Sequence, residues 1–296
     1  MSKTPRVTIG VPVYNGEAFL RETIDSIAAQ TFQDYEVIIS DNASRDATEA
    51  ICREYAARDA RVRYVRNERN VGAARNFCQL VTLASGEYFK SANADDLCDP
   101  PLVAQCVAVL DAHPEVVLCY GKTTLIDAKG DVLERYEDNL DLRQPRAVDR
   151  FRLALRRLRL VNVLQGVMRT AALRRSGQLG TYFASDQVLV PELTLHGQFH
   201  ELPEFLFYRR MHAGASSSIT TVEGEWHYWD PLASPGRKAP AAAWQHHYGY
   251  ARAALRAPLP LGEKLGLLLG VLRYAIADGN DLLLELRETV LPRAGR

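Results

Sequence analysis

The regular part of the chain begins with a continuous β-branched segment, Val7-Thr8-Ile9-Gly10-Val11-Pro12-Val13. Such a run is typical of a strand that is buried on both faces of a parallel sheet. A helical spacing of apolar residues follows at 17–30, and a second strand-like run follows at 35–40. This order predicts a βαβ unit with a right-handed crossover.

The same alternation continues as far as about residue 120. It predicts helices at 46–58, 72–84 and 100–112, and strands at 62–66, 88–91 and 116–120. Repeated units of this kind predict an α/β fold with a doubly wound, mainly parallel sheet flanked by helices. Because such sheets bind ligands beyond the carboxyl ends of their strands, the residues just after each strand are the candidates for function.

The second half of the chain is less regular. We expect a hairpin turn at 127–131, helices at 146–160 and 186–196, and strands at 162–168 and 198–209. Residues 214–240 are rich in Ser, Gly and Pro, which predicts a loop or lid, and 241–290 has a helical pattern. The expected organisation is a catalytic domain at 1–216, a loop or lid at 217–240 and a helical C-terminal region at 241–296.

Composition restricts the classes of protein to which the chain can belong. It has 296 residues, of which 47% are hydrophobic, and its 36 Lys and Arg balance its 36 Asp and Glu. Zero formal net charge argues against a dedicated nucleic-acid binder. The richest apolar run, 265–272, is much shorter than the roughly 20 residues of a membrane-spanning helix. Five scattered cysteines without a CxxC pair, and an N-terminus without a signal-peptide core, predict a cytoplasmic setting.

Carboxylates follow two of the predicted strands. Asp41 comes directly after the second strand, and Asp95 and Asp96 lie side by side after the fourth. Adjacent carboxylates repel each other unless a cation or a hydrogen-bond donor compensates them. A divalent cation that is shared with diphosphate oxygens would be such a compensator.

Five motifs at the predicted strand ends occur in a characteristic order. They are Pro12-Val13-Tyr14-Asn15, Ser40-Asp41-Asn42-Ala43-Ser44-Arg45-Asp46, Asn70-Val71-Gly72-Ala73-Ala74-Arg75-Asn76, Ser85-Gly86-Glu87-Tyr88 and Asn93-Ala94-Asp95-Asp96. With them, the stretch from about residue 5 to residue 216 resembles the inverting family-2 glycosyltransferases, which have the GT-A fold. The appended helices at the C-terminus are outside this resemblance.

The resemblance implies a nucleotide site at the first strand ends. Pro12, Tyr14 and Asn15 would line the pocket for the base, and Asp41 would accept a hydrogen bond from the N3–H of a pyrimidine. Arg75 matches a position that often faces the diphosphate, although a solvated arginine on a helix is an equal alternative.

The segment Asn93-Ala94-Asp95 matches the DxD motif of the family. Its first position is Asn93 here, which can still bind a ribose hydroxyl but adds no charge. Asp95 would then be the ligand of Mn²⁺ or Mg²⁺, with Asp96 in a supporting or structural position.

The resemblance also extends to two segments of the second half. The family's catalytic base is an aspartate that opens a helix about ninety residues after the DxD motif, and Asp186 matches it. Stabilisation of a helix N-terminus is a compatible role for the same carboxylate. The segment from Arg210 through His212 to Ser216 resembles an RxH…S motif, in which His212 would bind the metal and Arg210 the phosphate.

The C-terminal helices carry an apolar stripe that has two interpretations. The stripe, Leu265, Leu268, Leu269 and Leu272, can pack onto the catalytic domain or form a homodimer interface. Alternatively, it can lie on a membrane close to a lipid-linked acceptor, with phosphates facing Arg252, Arg256, Lys264 and Arg273.

These observations predict a metal-dependent, inverting hexosyl- or N-acetylhexosaminyltransferase. Its donor would be a nucleotide sugar, with UDP-sugars favoured, and its acceptor a saccharide or glycolipid of surface-glycan biosynthesis. One alternative is a catalytically degenerate nucleotide-sugar binding protein, which the Asn93 departure favours. A sugar nucleotidyltransferase would need a Gly-rich basic loop where the chain has Tyr14-Asn15-Gly16-Glu17, and a dinucleotide oxidoreductase would need GxGxxG there.

Overall fold

The computed structural model describes residues 4–215, 218, 219, 221–233, 241–277, 279 and 282. Within these residues the chain forms a nine-stranded sheet flanked by helices. The strands are β1 (Val7–Val13), β2 (Tyr35–Asp41), β3 (Val62–Arg66), β4 (Tyr88–Ser91), β5 (Leu97–Cys98), β6 (Val116–Ile126), β7 (Val132–Tyr136), β8 (Val167–Arg169) and β9 (Gln198–Arg210).

The helices alternate with the strands in the first half and gather at the end of the second. They are α1 (Leu20–Ala28), α2 (Thr48–Arg58), α3 (Ala73–Leu83), α4 (Leu102–Ala112), α5 (Ala147–Arg157), α6 (Thr170–Arg175), α7 (Asp186–Thr194), α8 (Val222–Trp229), α9 (Ala242–Arg256) and α10 (Leu261–Ala277). A short 3-10 helix spans Asn162–Gln165.

The sheet has a parallel part and a mixed part. Its strand order is β3-β2-β1-β4-β8-β6-β9-β5, with β7 paired to β6. The strands β3, β2, β1 and β4 are parallel, so their carboxyl ends form one edge, where Val13 lies opposite Asp41 and Asp41 opposite Arg66. Beyond them, β8 is antiparallel to both β4 and β6, whereas β6 and β9 are parallel. The predicted α/β architecture is confirmed.

Apolar side chains cover both faces of the sheet. On one face, alternate residues of β1 pack with α1 and α4, including Leu20, Ile24 and Leu102. On the other face, α3, α6 and α7 form a second cluster. Gly10 of β1 permits this second layer, because a Cβ there would lie 2.8 Å from the Phe89 ring and 3.2 Å from Leu80.

The C-terminal helices form a third apolar cluster. Helices α9 and α10 bury Tyr250, Ala253, Leu267 and Val271 against α5 and α7. The helical prediction for this region is therefore confirmed as far as Ala277, and most of the residues beyond it lie outside the described part of the chain. Among the residues described, no helix combines the length and the hydropathy that crossing a bilayer requires.

Two sequence predictions differ from the structure. The expected strand at 162–168 is a 3-10 helix followed by the three-residue β8. Between them, Gly166 passes so close to β6 that a Cβ there would lie 2.3 Å from the Cys119 carbonyl oxygen. The expected loop at 214–240 contains α8, which starts after Thr221, whose Oγ1 accepts a hydrogen bond from the Gly224 N–H at 3.1 Å. Residues 216, 217, 220 and 234–240 of that loop are outside the described residues.

Candidate functional site

Hydrogen bonds from backbone N–H groups to side-chain oxygens join the turns after β1 and β2. The Asn15 N–H donates to Ser44 Oγ at 2.8 Å, and Asn15 Oδ1 accepts from the Arg45 N–H at 2.9 Å. Beside them, Pro12 is half-buried and Tyr14 is exposed. The structure therefore brings the three residues predicted for the base pocket to the same edge as the turn that follows Asp41.

Asp41 is completely buried and already has several donors. Its Oδ1 accepts from the Ser44 N–H at 2.8 Å, and its Oδ2 accepts from the Tyr64 hydroxyl at 2.7 Å and from the Arg66 guanidinium. Burial and the bond to Asp41 raise the pKa of Tyr64, which keeps its hydroxyl protonated as a donor. The predicted contact with a pyrimidine N–H therefore requires Arg66, one-third exposed, to move aside.

Asparagines hold the neighbouring turn to α3. Asn42 Oδ1 accepts from Asn67 Nδ2 at 3.1 Å and from the Val71 N–H at 2.9 Å. Asn76 Nδ2 donates to the Ser40 carbonyl oxygen at 2.8 Å. The asparagines in these motifs thus fix the shape of the strand ends.

Arg75 points to the segment after α8 in this structure. Its Nη1 lies 2.6 Å from Oδ1 of the buried Asp230. The same segment covers Gly72, where the backbone has φ +88° and a Cβ would lie 2.5 Å from the Trp229 carbonyl oxygen. Arg75 therefore fastens the α8 segment to α3, and the geometry gives no direct support to its predicted contact with a diphosphate.

The acid turn, residues 93–96, follows β4 and is tightly cross-linked. Asp96 is buried, and its two carboxylate oxygens accept from the Arg210 N–H and from Asn93 Nδ2, both at 2.9 Å. Burial and the charge of Asp95 raise the pKa of Asp96 to about 7. Asp95 itself stays partly exposed, and its Oδ2 lies 3.0 Å from His212 Nε2. The structure therefore brings together the two residues that were predicted to bind a metal.

The hydrogen bonds of His212 define its tautomer. The Gly214 N–H donates to His212 Nδ1 at 3.2 Å, so Nδ1 is an acceptor and Nε2 carries the proton that is donated to Asp95. A metal bound to Nε2 would replace that proton, and Nδ1 would then become protonated and lose its bond from Gly214. Ser216, the last residue of the predicted motif, lies outside the described residues.

Arg210 has a different position from the one predicted. Only 1% of its side chain is exposed, and its guanidinium donates to the Asp95 carbonyl oxygen at 3.0 Å, to the Ala128 carbonyl oxygen at 3.2 Å and to Glu22 at 2.6 Å. It also lies 4.6 Å from the centre of the Phe19 ring. Because its N–H groups are used in these contacts, Arg210 stabilises the acid turn from the buried side instead of facing a phosphate.

Asp186 is the first residue of α7, as predicted. Its Oδ1 accepts from the Gln187 N–H at 2.9 Å, and no side chain in the described part of the chain donates to its carboxylate. Desolvation by burial raises its pKa, and the nearby Arg209 partly opposes this effect. The residue before α7, Ser185, is fully buried, and its hydroxyl lacks a hydrogen-bond partner among the described residues.

Arg209 was not among the predicted site residues, and its charge acts on two of the acids. It lowers the pKa of Asp96 and of Asp186, in each case as a smaller effect than burial, which raises the pKa. Its Nη1 donates to Oδ1 of Asn162 at 2.9 Å. From the same 3-10 helix, Gln165 Oε1 accepts from the Asn93 N–H at 3.4 Å. The 3-10 helix therefore braces the acid turn and Arg209 together.

Three turns around the site contain non-glycine residues with a left-handed backbone. These are Asn15 with φ 52°, Ala43 with φ 62° and Ala184 with φ 52°. For an alanine this conformation costs about 1–2 kcal/mol. The strain lies beside Asp41 and Asp186, which are both predicted site residues, as is common around functional sites.

With this geometry established, comparison with known proteins assigns the family. The family model described as "Glycosyl transferase family 2" matches residues 8–175, more than half of the chain. The chain belongs to glycosyl transferase family 2. The matched range contains the β1 to β4 strand ends and the acid turn, whereas Asp186 and His212 lie beyond it.

One curated relative matches part of the chain in sequence, and two solved structures match it in fold. An uncharacterized glycosyltransferase of Methanocaldococcus jannaschii is 30% identical over 135 residues, which cover 45% of this chain and 47% of that protein. The chain spans less than half the length of the curated relatives it matches. S. aureus TarS 1-349 in complex with UDP-GlcNAc has a TM-score of 0.63 at 18% identity over 97% of this chain and 76% of that one. The Pyrobaculum calidifontis mannosyltransferase PcManGT, in complex with GDP-Man and Mn²⁺, has a TM-score of 0.53 at 19% identity over 99% and 82%. These two structures share the fold.

The donor set of this family member fits a divalent cation that is shared with a diphosphate. No group of three or more His, Cys, Asp or Glu in the described residues forms a closed metal site. Asp95 and His212 supply one carboxylate and one imidazole, and both are partly exposed to solvent. Mg²⁺ and Mn²⁺ are commonly held by one or two protein ligands together with phosphate oxygens, so the pair matches an open site of that type.

Proposed function

We propose that the chain transfers a sugar from a nucleoside diphosphate donor to a hydroxyl group of a saccharide or lipid-linked acceptor. The observation that carries the proposal is the Asp95–His212 pair at 3.0 Å, which is exposed at the strand-end edge of a braced acid turn. Asp95 and His212 would hold Mn²⁺ or Mg²⁺ against the diphosphate of the donor. When bound, the cation would neutralise the charge that develops on the leaving diphosphate.

Asp186 is proposed as the base that accepts the proton of the acceptor hydroxyl. A base must be ionised and must not be neutralised by a strong ion pair. The Asp186 carboxylate accepts a hydrogen bond from the Gln187 backbone N–H and none from a side chain of the described residues. Its raised pKa makes it a stronger proton acceptor than an exposed aspartate. A single base, without a nucleophile as its partner, agrees with single displacement and inversion at the anomeric carbon.

Asp41, Pro12, Tyr14 and Asn15 are proposed to form the nucleotide-base end of the site, and Asn93 to bind the ribose. A UDP-sugar is the proposed donor because a buried carboxylate can accept the N3–H of uracil. TarS and PcManGT were solved with UDP-GlcNAc and GDP-Man respectively, so a guanine nucleotide is the alternative to test. We propose surface-glycan biosynthesis as the pathway.

The test is the release of nucleoside diphosphate by the full chain from a panel of UDP- and GDP-sugars. Each reaction would contain Mn²⁺, Mg²⁺ or EDTA, with and without a mixture of saccharide acceptors. The proposal predicts release with at least one UDP-sugar that requires the metal and is accelerated by an acceptor. Metal-dependent binding without turnover on any donor would instead support the alternative, a binding protein without catalysis, which the uncharged Asn93 favours.

A further inference from the structure

Helix α10 presents a continuous apolar stripe to solvent. The stripe consists of five side chains that are each between 53% and 73% exposed: Leu261, Leu265, Leu269, Leu272 and Ile276. Since an α-helix turns about 100° per residue, these positions fall within an arc of about 80° on one face. The opposite face of α10 is the one that packs into the protein, through Leu267 and Val271. Packing onto the catalytic domain therefore does not explain the exposed stripe.

A basic groove runs along the same helix. It lies between α5 and α10, has a volume of about 320 Å³ and is lined by Arg152, Arg156 and Arg273 together with apolar side chains. On α10 its lining includes Leu267 and Gly270, which face away from the stripe, so Arg273 is the groove residue next to the stripe. None of these three guanidinium groups forms an ion pair with a carboxylate of the described residues. The chain as a whole is electrically neutral, so this group of cations is a local feature.

Cations border the apolar stripe on both sides. Arg273 follows Leu272 on the groove side of α10, and Lys264 lies on the other side, next to Leu265. A helix with an apolar face and flanking Lys and Arg has the pattern of helices that lie in the plane of a membrane interface. With 17 residues, α10 is about 25 Å long, which suits a position along the membrane surface.

We propose that α10 docks the protein on an anionic phospholipid surface. The apolar stripe enters the boundary between headgroups and acyl chains, and Lys264 and Arg273, which flank it, pair with lipid phosphates. In a two-fold symmetric dimer the stripe would instead face the stripe of a second copy, and the experiment below distinguishes this alternative from membrane docking.

The test measures co-sedimentation of the full chain with vesicles. One set contains phosphatidylcholine alone, and the other contains about 30% phosphatidylglycerol. We expect binding to the anionic set, weakened by added salt because salt screens the cations that flank the stripe. The variant Leu265→Asp/Leu269→Asp is expected to bind about tenfold more weakly or worse. A matched control is Val132→Asp/Leu133→Asp, since both residues are exposed on β7, and it should bind like the wild type.

The contribution of the flanking cations is tested by a second pair of variants. Lys264→Gln/Arg273→Gln should weaken binding to anionic vesicles by about tenfold or more, since each basic residue near such a surface contributes about 1 kcal/mol. Arg63→Gln/Lys129→Gln removes two exposed cations elsewhere and should weaken it much less. Thermal melting of each variant separates loss of docking from loss of folding.

Two results would overturn the proposal. One is a wild-type protein that stays in the supernatant with both vesicle sets. The other is sedimentation equilibrium showing a dimer that Leu265→Asp/Leu269→Asp abolishes, without vesicle binding by either protein, which would make the stripe a dimer interface. Neither readout depends on turnover, so both are independent of the proposed transferase activity.

Discussion

The acid turn and the first turn of α7 each contribute an aspartate near Arg209, but the two turns are held in opposite ways. In the acid turn, Asp96 accepts two hydrogen bonds and the Asp95 backbone accepts one from Arg210. At α7, Asp186 accepts from the Gln187 N–H, and the hydroxyl of the preceding Ser185 is unpaired among the described residues. One turn is rigidly built, and the other is loosely constrained.

This difference matches the two tasks of a glycosyl transfer. A site for a cation and a diphosphate works by fixed placement of charge, which a cross-linked turn provides. A base must change its protonation state, and it does so more easily when few groups stabilise one of the two states. The comparison therefore assigns charge stabilisation to the acid turn and proton transfer to Asp186.

The largest effect on turnover is expected in the acid turn. Asp95→Ala removes the exposed carboxylate of the acid turn, and we expect turnover with Mn²⁺ to fall by about 10³-fold or more. Asp131→Asn, at the exposed hairpin turn, is the control and should keep wild-type turnover. Near-normal turnover in Asp95→Ala would remove the acid turn from the mechanism.

A smaller loss, limited to the transfer step, is expected at Asp186. Asp186→Asn keeps the size of the side chain but cannot accept a proton, so transfer should fall by about 10²- to 10³-fold. Affinity for the nucleotide should be unchanged, because the metal and diphosphate ligands remain. Equal losses of transfer and nucleotide affinity, measured by initial rates and calorimetry, would mean that charge stabilisation and proton transfer are not separated between the acid turn and Asp186.

The rigidity of the acid turn can be tested through stability. Arg210→Met removes the buried guanidinium that donates to the carbonyl oxygens of Asp95 and Ala128 and should lower the free energy of unfolding by about 3 kcal/mol. Arg63→Met on the exposed side of β3 should change it by less than about 0.5 kcal/mol. Similar denaturation midpoints for the two variants would show that Arg210 does not brace the turn.

The smallest effect concerns the pH dependence of the base. Burial raises the pKa of Asp186 and Arg209 opposes this rise, so the acid limb of the rate profile should lie above the ordinary aspartate range. Arg209→Gln removes the opposing charge, so the limb should move to higher pH, with a loss of less than about tenfold at neutral pH. Arg209→Lys should restore the wild-type profile. An acid limb that is identical in all three proteins would show that Arg209 does not act on Asp186.

The first half of the fold could be predicted closely from the sequence. The strands Val7–Val13, Val62–Arg66 and Tyr88–Ser91 have the predicted bounds. For Val7–Val13 the reason is that a strand buried inside a parallel sheet needs a continuous apolar or β-branched run, whereas the edge strand Val62–Arg66 exposes both of its arginines. The three-residue β8 could not be predicted in the same way. It exists because β4 and β6 both pair with it, and so short a segment has no periodicity of its own.

The candidate site shows the same limit at the level of single side chains. The resemblance to the family was enough to predict that Asp95 and His212 lie together. It did not distinguish Arg209 from Arg210, although neighbouring residues of a strand point to opposite faces. Arg210 therefore contacts the acid turn from its buried side, and Arg209 contacts Asn162. Only the register of β9 against β6 could have decided between them.

The most direct test of the central claim is calorimetric titration of UDP into the full chain with Mn²⁺ or EDTA. The account predicts binding that requires Mn²⁺, becomes about tenfold weaker or worse in Asp95→Asn, and stays within about twofold of the wild type in Asp186→Asn. UDP binding that is equally tight with EDTA, or equally tight in Asp95→Asn, would contradict it.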